Sequence, residues 1–176
     1  IKLLLLRLMQ SRSFKKADGV IFLTEYAQNV VLKVIGKLHN QTHIVPHGLN
    51  DRFISAPKPQ RGIADYDNVH PYRVLYVSTI DQYKHQWHVV EAVAILRKQG
   101  LPIVLDLVGP SYPPALQRLN ATIERVDAER HWVHYHGAIA FDALHHHYAQ
   151  ADLGLFASSC ENMPNILLET MASGLP

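Results

Sequence analysis

Hydrophobic positions fall along this chain in two registers: short, nearly unbroken apolar runs, and longer stretches with apolar residues three or four apart. Runs of the first kind predict buried strands at Val20–Leu23, Thr42–Pro46, Arg73–Val77, Ile103–Val108, His131–His136 and Leu153–Phe156. Stretches of the second kind predict helices over Ile1–Lys16, Glu25–Ile35, Trp87–Gln99, Pro113–Ala128, Phe141–Gln150 and Pro164–Ala172. Thr24 suits an N-cap, Gly100 a helix stop, and Gly174 a left-handed cap. Residues 50–72 carry Pro, Asp and Gly without periodicity and are predicted to be a linker. Strand and helix then alternate to the end of the chain. Near-continuous apolar strands point to a parallel sheet covered on both faces, so the fold class is α/β, a doubly wound, Rossmann-like sheet. Ligands of such sheets bind at the carboxyl ends of the strands. The informative segments are therefore His47-Gly48, Ser78–His85, Gly109-Pro110, His136-Gly137 and Ser158–Asn165.

Composition narrows the classes. The 176 residues are 48% hydrophobic and 18% charged, ordinary for a soluble globular domain. A formal charge of +2 excludes a strongly basic nucleic-acid binder. A single cysteine, Cys160, excludes an internal disulfide framework and fits a reducing, cytoplasmic setting. It reads as a buried structural thiol rather than a nucleophile. The Leu-rich start is too short for a membrane span, and Arg7 interrupts it. Lys2, Arg7, Arg12, Lys15 and Lys16 give that helix a basic face. A solvated face is the plain reading and peripheral contact with anionic lipid the sharper one. Without an initiator Met, the chain reads as an internal piece of a longer protein.

The candidate chemistry concentrates near the C-terminus. Glu161 precedes a helix that opens at Pro164, and Glu169 lies inside it, roughly 7–8 Å along the axis at about 1.5 Å per residue. Helical side chains lean toward the N-terminus, so Glu169 is expected to point back at the helix mouth. A helix N-terminus attracts anions, and carboxylates beside it accept hydroxyls, which suits a ligand bearing both phosphate and hydroxyl groups. The plain alternative is two solvated carboxylates on a surface helix. Lys84, in the loop after the 73–77 strand, is a flexible ammonium placed to neutralise phosphate, with a surface lysine as the alternative. Ser78, Thr79 and Asp81 share that loop and either bind ligand or cap the next helix. Gly48 and Gly109 follow strands, where a glycine permits close approach of a ligand or makes a tight turn. No G-x-G-x-x-G is present, so a nicotinamide or flavin cofactor is not supported. His145, His146 and His147 fan out on a helix and cannot chelate together, and His134 and His136 have no carboxylate at ligand spacing, so no metal is expected.

Glu161–Glu169 resembles the E-x7-E motif of retaining nucleotide-sugar glycosyltransferases of the GT-B fold, family 4. Pro164–Pro176 is similar to that family's helix almost throughout. Ile44–Asn50 resembles the join between its two domains, and Ala17–Thr24 the last strand of its N-terminal domain. Leu107-Val108-Gly109 and Tyr135-His136-Gly137 are similar to its strand-end segments. The resemblance implies that residues 1–49 end the N-terminal, acceptor-binding domain and that 50–72 link it to a nucleotide-sugar-binding domain. That domain, 73–176, would lack its last elements, and the chain alone would be inactive. It further implies that Glu169 binds the donor ribose and Glu161 contacts the donor sugar. Lys84 would hold the diphosphate, with Asn162, Met163, Pro164 and Asn165 lending backbone N–H groups. Sugar would pass from a nucleotide-diphosphate donor to a glycan, lipid or small-molecule acceptor, with retention and without an obligatory metal. Two positions depart from the pattern. Ser78-Thr79 stand where the family usually has Gly-Arg, and Asn162 where it has Gly after the first glutamate. The first departure keeps a non-catalytic sugar-nucleotide-binding or regulatory homologue in play. A nucleotide-sugar epimerase of the same fold is a third reading.

Overall fold

The computed structural model describes residues 2–176 in two compact units, 1–48 with 161–164, and 49–160 with 165–176, the first counted from its second residue. In the first unit α1 (Lys2–Lys16) leads to β1 (Gly19–Phe22), α2 (Glu25–Ile35) and β2 (Gln41–Ile44). Ile1, the first residue of the predicted opening helix, lies outside the described residues. β1 and β2 pair in parallel, with Val20 opposite Thr42 and Phe22 opposite Ile44. The Thr24 side chain accepts from the Ala27 N–H at 3.0 Å and so caps α2, as its sequence predicts. The Thr24 hydroxyl also donates to Asn162 Oδ1 at 2.7 Å. Phe14 stacks on Phe22 with centroids 6.2 Å apart, but α1 buries no residue. Leu4, Leu5 and Leu8, apolar residues of this helix, are all exposed. No described helix is long and apolar enough to cross a membrane.

The second unit contains β3 (Tyr72–Val77), α3 (Gln86–Lys98), β4 (Ile103–Val108), α4 (Pro113–Val126), β5 (Val133–Tyr135), α5 (Phe141–Gln150), β6 (Leu153–Gly154) and α6 (Asn165–Ala172). All pairs are parallel and the strand order is β5-β4-β3-β6. Side chains alternate between the faces along each strand. Val74, Tyr76, Leu105, Leu107 and Val133 pack under α3 and α4. Leu75, Val77 and Val108 pack with Tyr148 and Ala151 at α5, and with Phe53 and Leu175. Two buried clusters on opposite faces are what the unbroken apolar strands require. The chain winds from β3 outward through β4 to β5, then returns to β6 on the other side of β3. The switch point, where connections diverge and open a crevice at the strand ends, is therefore between β3 and β6.

Several boundaries differ from expectation, each because of specific contacts. The 50–72 segment holds no strand or long helix before Tyr72 and is mostly exposed, yet it is pinned at Phe53. Phe53 is 1% exposed, and its ring meets Phe141 and Tyr148 edge-on. Ser55 N–H donates to Ala172 O, and Lys58 N–H to Gly174 O, so this segment fastens the end of α6. β5 is shorter than the predicted 131–136 run. The Asp127 carboxylate takes the N–H groups of His131, Trp132 and Val133 at 2.9, 2.9 and 2.8 Å. The same residue ends α4 two positions early. β6 shrinks to two residues, pairing only Val74–Leu75, and Gly154 lies so close to α6 that a Cβ there would meet Thr170 Cγ2 at 1.9 Å. Gly174, at φ +68, caps the end of α6 in the left-handed form its position predicts.

Candidate functional site

In the second unit the switch point is bordered by the loop after β3 and the loop after β6. The β3 loop leaves the sheet at Ser78, whose N–H continues the ladder to Val108 O at 2.8 Å. Ser78 is 2% exposed, whereas Thr79 faces solvent. The Gln86 side chain, 1% exposed, donates to Thr79 O at 2.8 Å and ties the two ends of the loop together. Asp81 caps a one-turn helix over Gln82–Lys84 through its side chain and the Gln82 N–H. Lys84 is thus held on a turn and is 7% exposed, where sequence predicted a flexible ammonium or a surface lysine. Tyr76 rises from the strand below and donates its hydroxyl to Lys84 O at 2.8 Å. Lys84 Nζ lies 5.0 Å from the Tyr83 ring centroid and 5.8 Å from that of Phe156, in the loop after β6. Contacts of an amine with ring faces at these distances are of the cation–π kind and help to fix the side chain beside the strand ends.

Gly109 ends β4 beside this loop. At φ +142 its Cα approaches Ser78 so closely that a Cβ would stand 2.2 Å from Ser78 O. Its N–H donates to Gly137 O at 2.8 Å. Thr79 and Gly109 are thereby neighbours, and the β4 glycine is needed for packing at the strand ends. Gly48, in the first unit, has open space around it, so sterics alone require no glycine there.

The glutamates divide between the units. Glu169 sits on the second turn of α6, half-buried, with its carboxylate 3.3 Å from the Tyr148 hydroxyl of α5. Burial pushes the Glu169 carboxyl above the usual carboxylate range, and the tyrosine hydrogen bond opposes that rise in part. Burial likewise pushes the Tyr148 phenol well above its ordinary value, aided by the nearby carboxylate. Asn165 is the exposed first residue of α6. Glu161, Asn162, Met163 and Pro164 group with the first unit, where Asn162 is fastened to Thr24. Among the described residues only His85 and Arg130 use positive φ without being glycine, so Asn162 does not use the left-handed form.

Sequence reasoning missed several polar residues. Tyr76 falls inside a predicted strand and Gln86 just ahead of a predicted helix, and nothing local marks the carbonyls they hold. Asp106, 5% exposed in the middle of β4, receives Arg73 Nη2 at 2.7 Å and meets His136 Nε2 at 2.7 Å. His136 therefore does have a carboxylate beside it, supplied by the neighbouring strand rather than by sequence spacing. The His147 ring lies 5.2 Å from that of His136, and burial holds His147 below the usual imidazole range. No group of three or more His, Cys, Asp or Glu among the described residues is arranged to hold a metal ion. Cys160 is exposed, contrary to the buried thiol expected, because the loop after β6 runs over the surface there.

The family model described as glycosyl transferases group 1 matches residues 71–176. No curated protein matches the chain. Among solved structures it is similar to HepE from Anabaena in complex with UDP and glucose, with TM-score 0.76 and 19% identity, over 97% of this chain and 46% of that one. Sucrose-phosphate synthase from Thermosynechococcus elongatus gives TM-score 0.74 and 24% identity over 97% and 42%. The pneumococcal O-GlcNAc transferase GtfA, in complex with UDP and GlcNAc, gives 0.69 and 23% over 96% and 31%. At these identities the likeness is one of fold, and the chain spans less than half of each of these structures.

Proposed function

Because this chain belongs to the group 1 glycosyl transferases, we propose that it carries the donor-binding half of an enzyme that moves a sugar from a nucleotide-diphosphate donor to an acceptor, with retention of configuration. The observation that carries the proposal is Lys84, buried on the loop beside the switch point of a parallel sheet. Such sheets bind ligands there, and a lysine side chain at that place suits a phosphate. In this reading Lys84 holds the donor diphosphate and stabilises the charge that grows on it as the sugar departs. Glu169 receives the ribose hydroxyls, and Glu161 contacts the donor sugar. Thr79, Gly48 and Gly109 adjoin the donor, and Asn162, Met163, Pro164 and Asn165 offer backbone N–H groups to its phosphates. The cationic work falls to Lys84, and no metal is assigned a part.

HepE, which shares the fold, has been solved with UDP-glucose; that supports a nucleoside diphosphate sugar as the donor class here. Residues 73–176 would form the donor domain and 1–49 the end of an acceptor domain for a glycan, lipid or small molecule, with 50–72 joining them. The enzyme would work in the cytoplasm, with α1 as its place of peripheral membrane contact. The test is donor binding by the full-length chain. Lys84→Ala should weaken nucleoside-diphosphate affinity by about 10- to 100-fold, the span of a charge-assisted hydrogen bond. Glu169→Ala should weaken it as well, and unchanged affinity in both variants would sink the assignment.

One observation favours a second reading. Ser78 is buried and Thr79 is neutral where the resemblance expects Gly-Arg, so those positions supply no cation. A non-catalytic sugar-nucleotide-binding homologue would show donor binding without transfer. Turnover on the order of 1 s⁻¹ dismisses it.

A further inference from the structure

The loop after β3 closes on His85, at φ 59° and ψ 27°, in the left-handed region that few non-glycine residues adopt. From there the imidazole meets the loop after β6: Nε2 lies 2.9 Å from Ser159 Oγ. Ser159 is bound to the β3 loop twice more. Its N–H donates to Tyr83 O at 2.9 Å, and its hydroxyl lies 3.3 Å from the same carbonyl. A serine hydroxyl has one proton to give. That proton goes either to Tyr83 O or to His85 Nε2, and the imidazole tautomer sets which of His85 and Ser159 donates. Tyr76 and Gln86 hold the β3 loop to its own strand and helix. Tyr83 and His85 tie it to the β6 side of the switch point, two residues ahead of Glu161 in sequence.

We propose that His85 is a positioning residue whose bond to Ser159 latches the Lys84 loop to the loop after β6, and that the latch strengthens donor binding. The second half of this statement rests on the donor-site reading above. A left-handed histidine gives up a conformational preference that glycine would not have had, and the hydrogen bond across the switch point offsets that loss.

The experiment uses the full-length chain with Ser159→Ala, Ser159→Thr, His85→Gly and the double variant His85→Gly/Ser159→Ala. Amide hydrogen exchange over 82–86 and 158–160 is followed without ligand, and UDP, GDP and ADP are titrated calorimetrically. Ser159→Ala and His85→Gly should each speed exchange in both segments and raise the dissociation constant about 3- to 10-fold, the range of one hydrogen bond. Ser159→Thr keeps the hydroxyl and should stay near wild type. The double variant should be no worse than the poorer single one, because both remove the same bond. His85→Gly suits the left-handed backbone and should not lower the melting temperature, which separates a lost latch from a damaged fold. Unchanged exchange in Ser159→Ala overturns the proposal, as does faster exchange with unchanged affinity. If the wild type binds none of the three nucleotides while exchange still responds, the donor reading fails and takes the affinity claim with it, while the loop tie stands.

Discussion

Gly109→Ala tests how the strand ends are built. A Cβ at this position would lie 2.2 Å from Ser78 O, 2.7 Å from Ser78 C and 3.2 Å from Thr79 N. All three are backbone atoms, so no rotamer change relieves the contact, and the β3 loop itself must move. Moving it strains two ladder bonds of 2.8 Å, from Ser78 N–H to Val108 O and from Gly109 N–H to Gly137 O. The φ of +142 adds a further penalty for any residue with a Cβ, about 1–3 kcal/mol. Together with overpacking of about 1–3 kcal/mol, the loss is about 2–6 kcal/mol, a large part of a stability of about 5–15 kcal/mol. At about 2–4 °C per kcal/mol for a chain of this size, the melting temperature should fall by about 4–24 °C. Gly137→Ala is the matched control: φ is +71, but nothing lies within 4 Å of its Cβ. It should lose only about 1 kcal/mol. Circular dichroism melts of the wild type and both variants decide the matter. If Gly109→Ala melts within about 3 °C of Gly137→Ala, the close approach of the β3 loop to Gly109 is not what holds the strand ends together.

Two further substitutions test other parts of the domain. Glu169→Gln should raise the melting temperature of the ligand-free protein at pH 7. The folded carboxyl titrates above its unfolded value, so the protonated form's favourable contribution is present below about pH 4 and lost as pH rises through the folded value. The difference between variant and wild type should vanish near pH 4, and a variant less stable at pH 7 would contradict this sign. Asp127→Ala removes a carboxylate that is 7% exposed and strands three N–H groups at the start of β5. Urea unfolding should show about 3–5 kcal/mol lost, and a loss under about 1 kcal/mol would show that water replaces the carboxylate.

Much of the secondary structure was legible because its signals are local. The unbroken apolar run Ile103–Val108 is a strand buried along its whole length. Thr24 caps α2, and Phe141–Gln150 is α5 from end to end, because caps and helical periodicity act within a turn or two. The strand-end glycines Gly109 and Gly137 do take positive φ. Boundaries failed where a particular side-chain contact overrode the pattern. Asp127 captured the N–H groups that would have lengthened β5, and Phe53 drew an aperiodic segment into the core under α5. Lys84 could be singled out by position, but its burial could not, since that depends on Tyr83, Tyr76 and Phe156 closing around it. Cys160 failed the opposite way, since a thiol's usual burial does not hold on a loop that passes over the surface.

The order of apolar runs and helical faces by itself determined a parallel α/β sheet covered on two sides, and the Glu161–Glu169 spacing around Pro164 determined where a phosphate-and-hydroxyl ligand would be sought. Both are one-dimensional properties, since periodicity and capping need only neighbours in the chain. Tertiary structure alone decided that β6 lies beside β3, that His85 reaches Ser159, and that Asp106 serves Arg73 and His136 together. Those contacts join residues tens of positions apart, and their energies arise only once folding has removed the water between them.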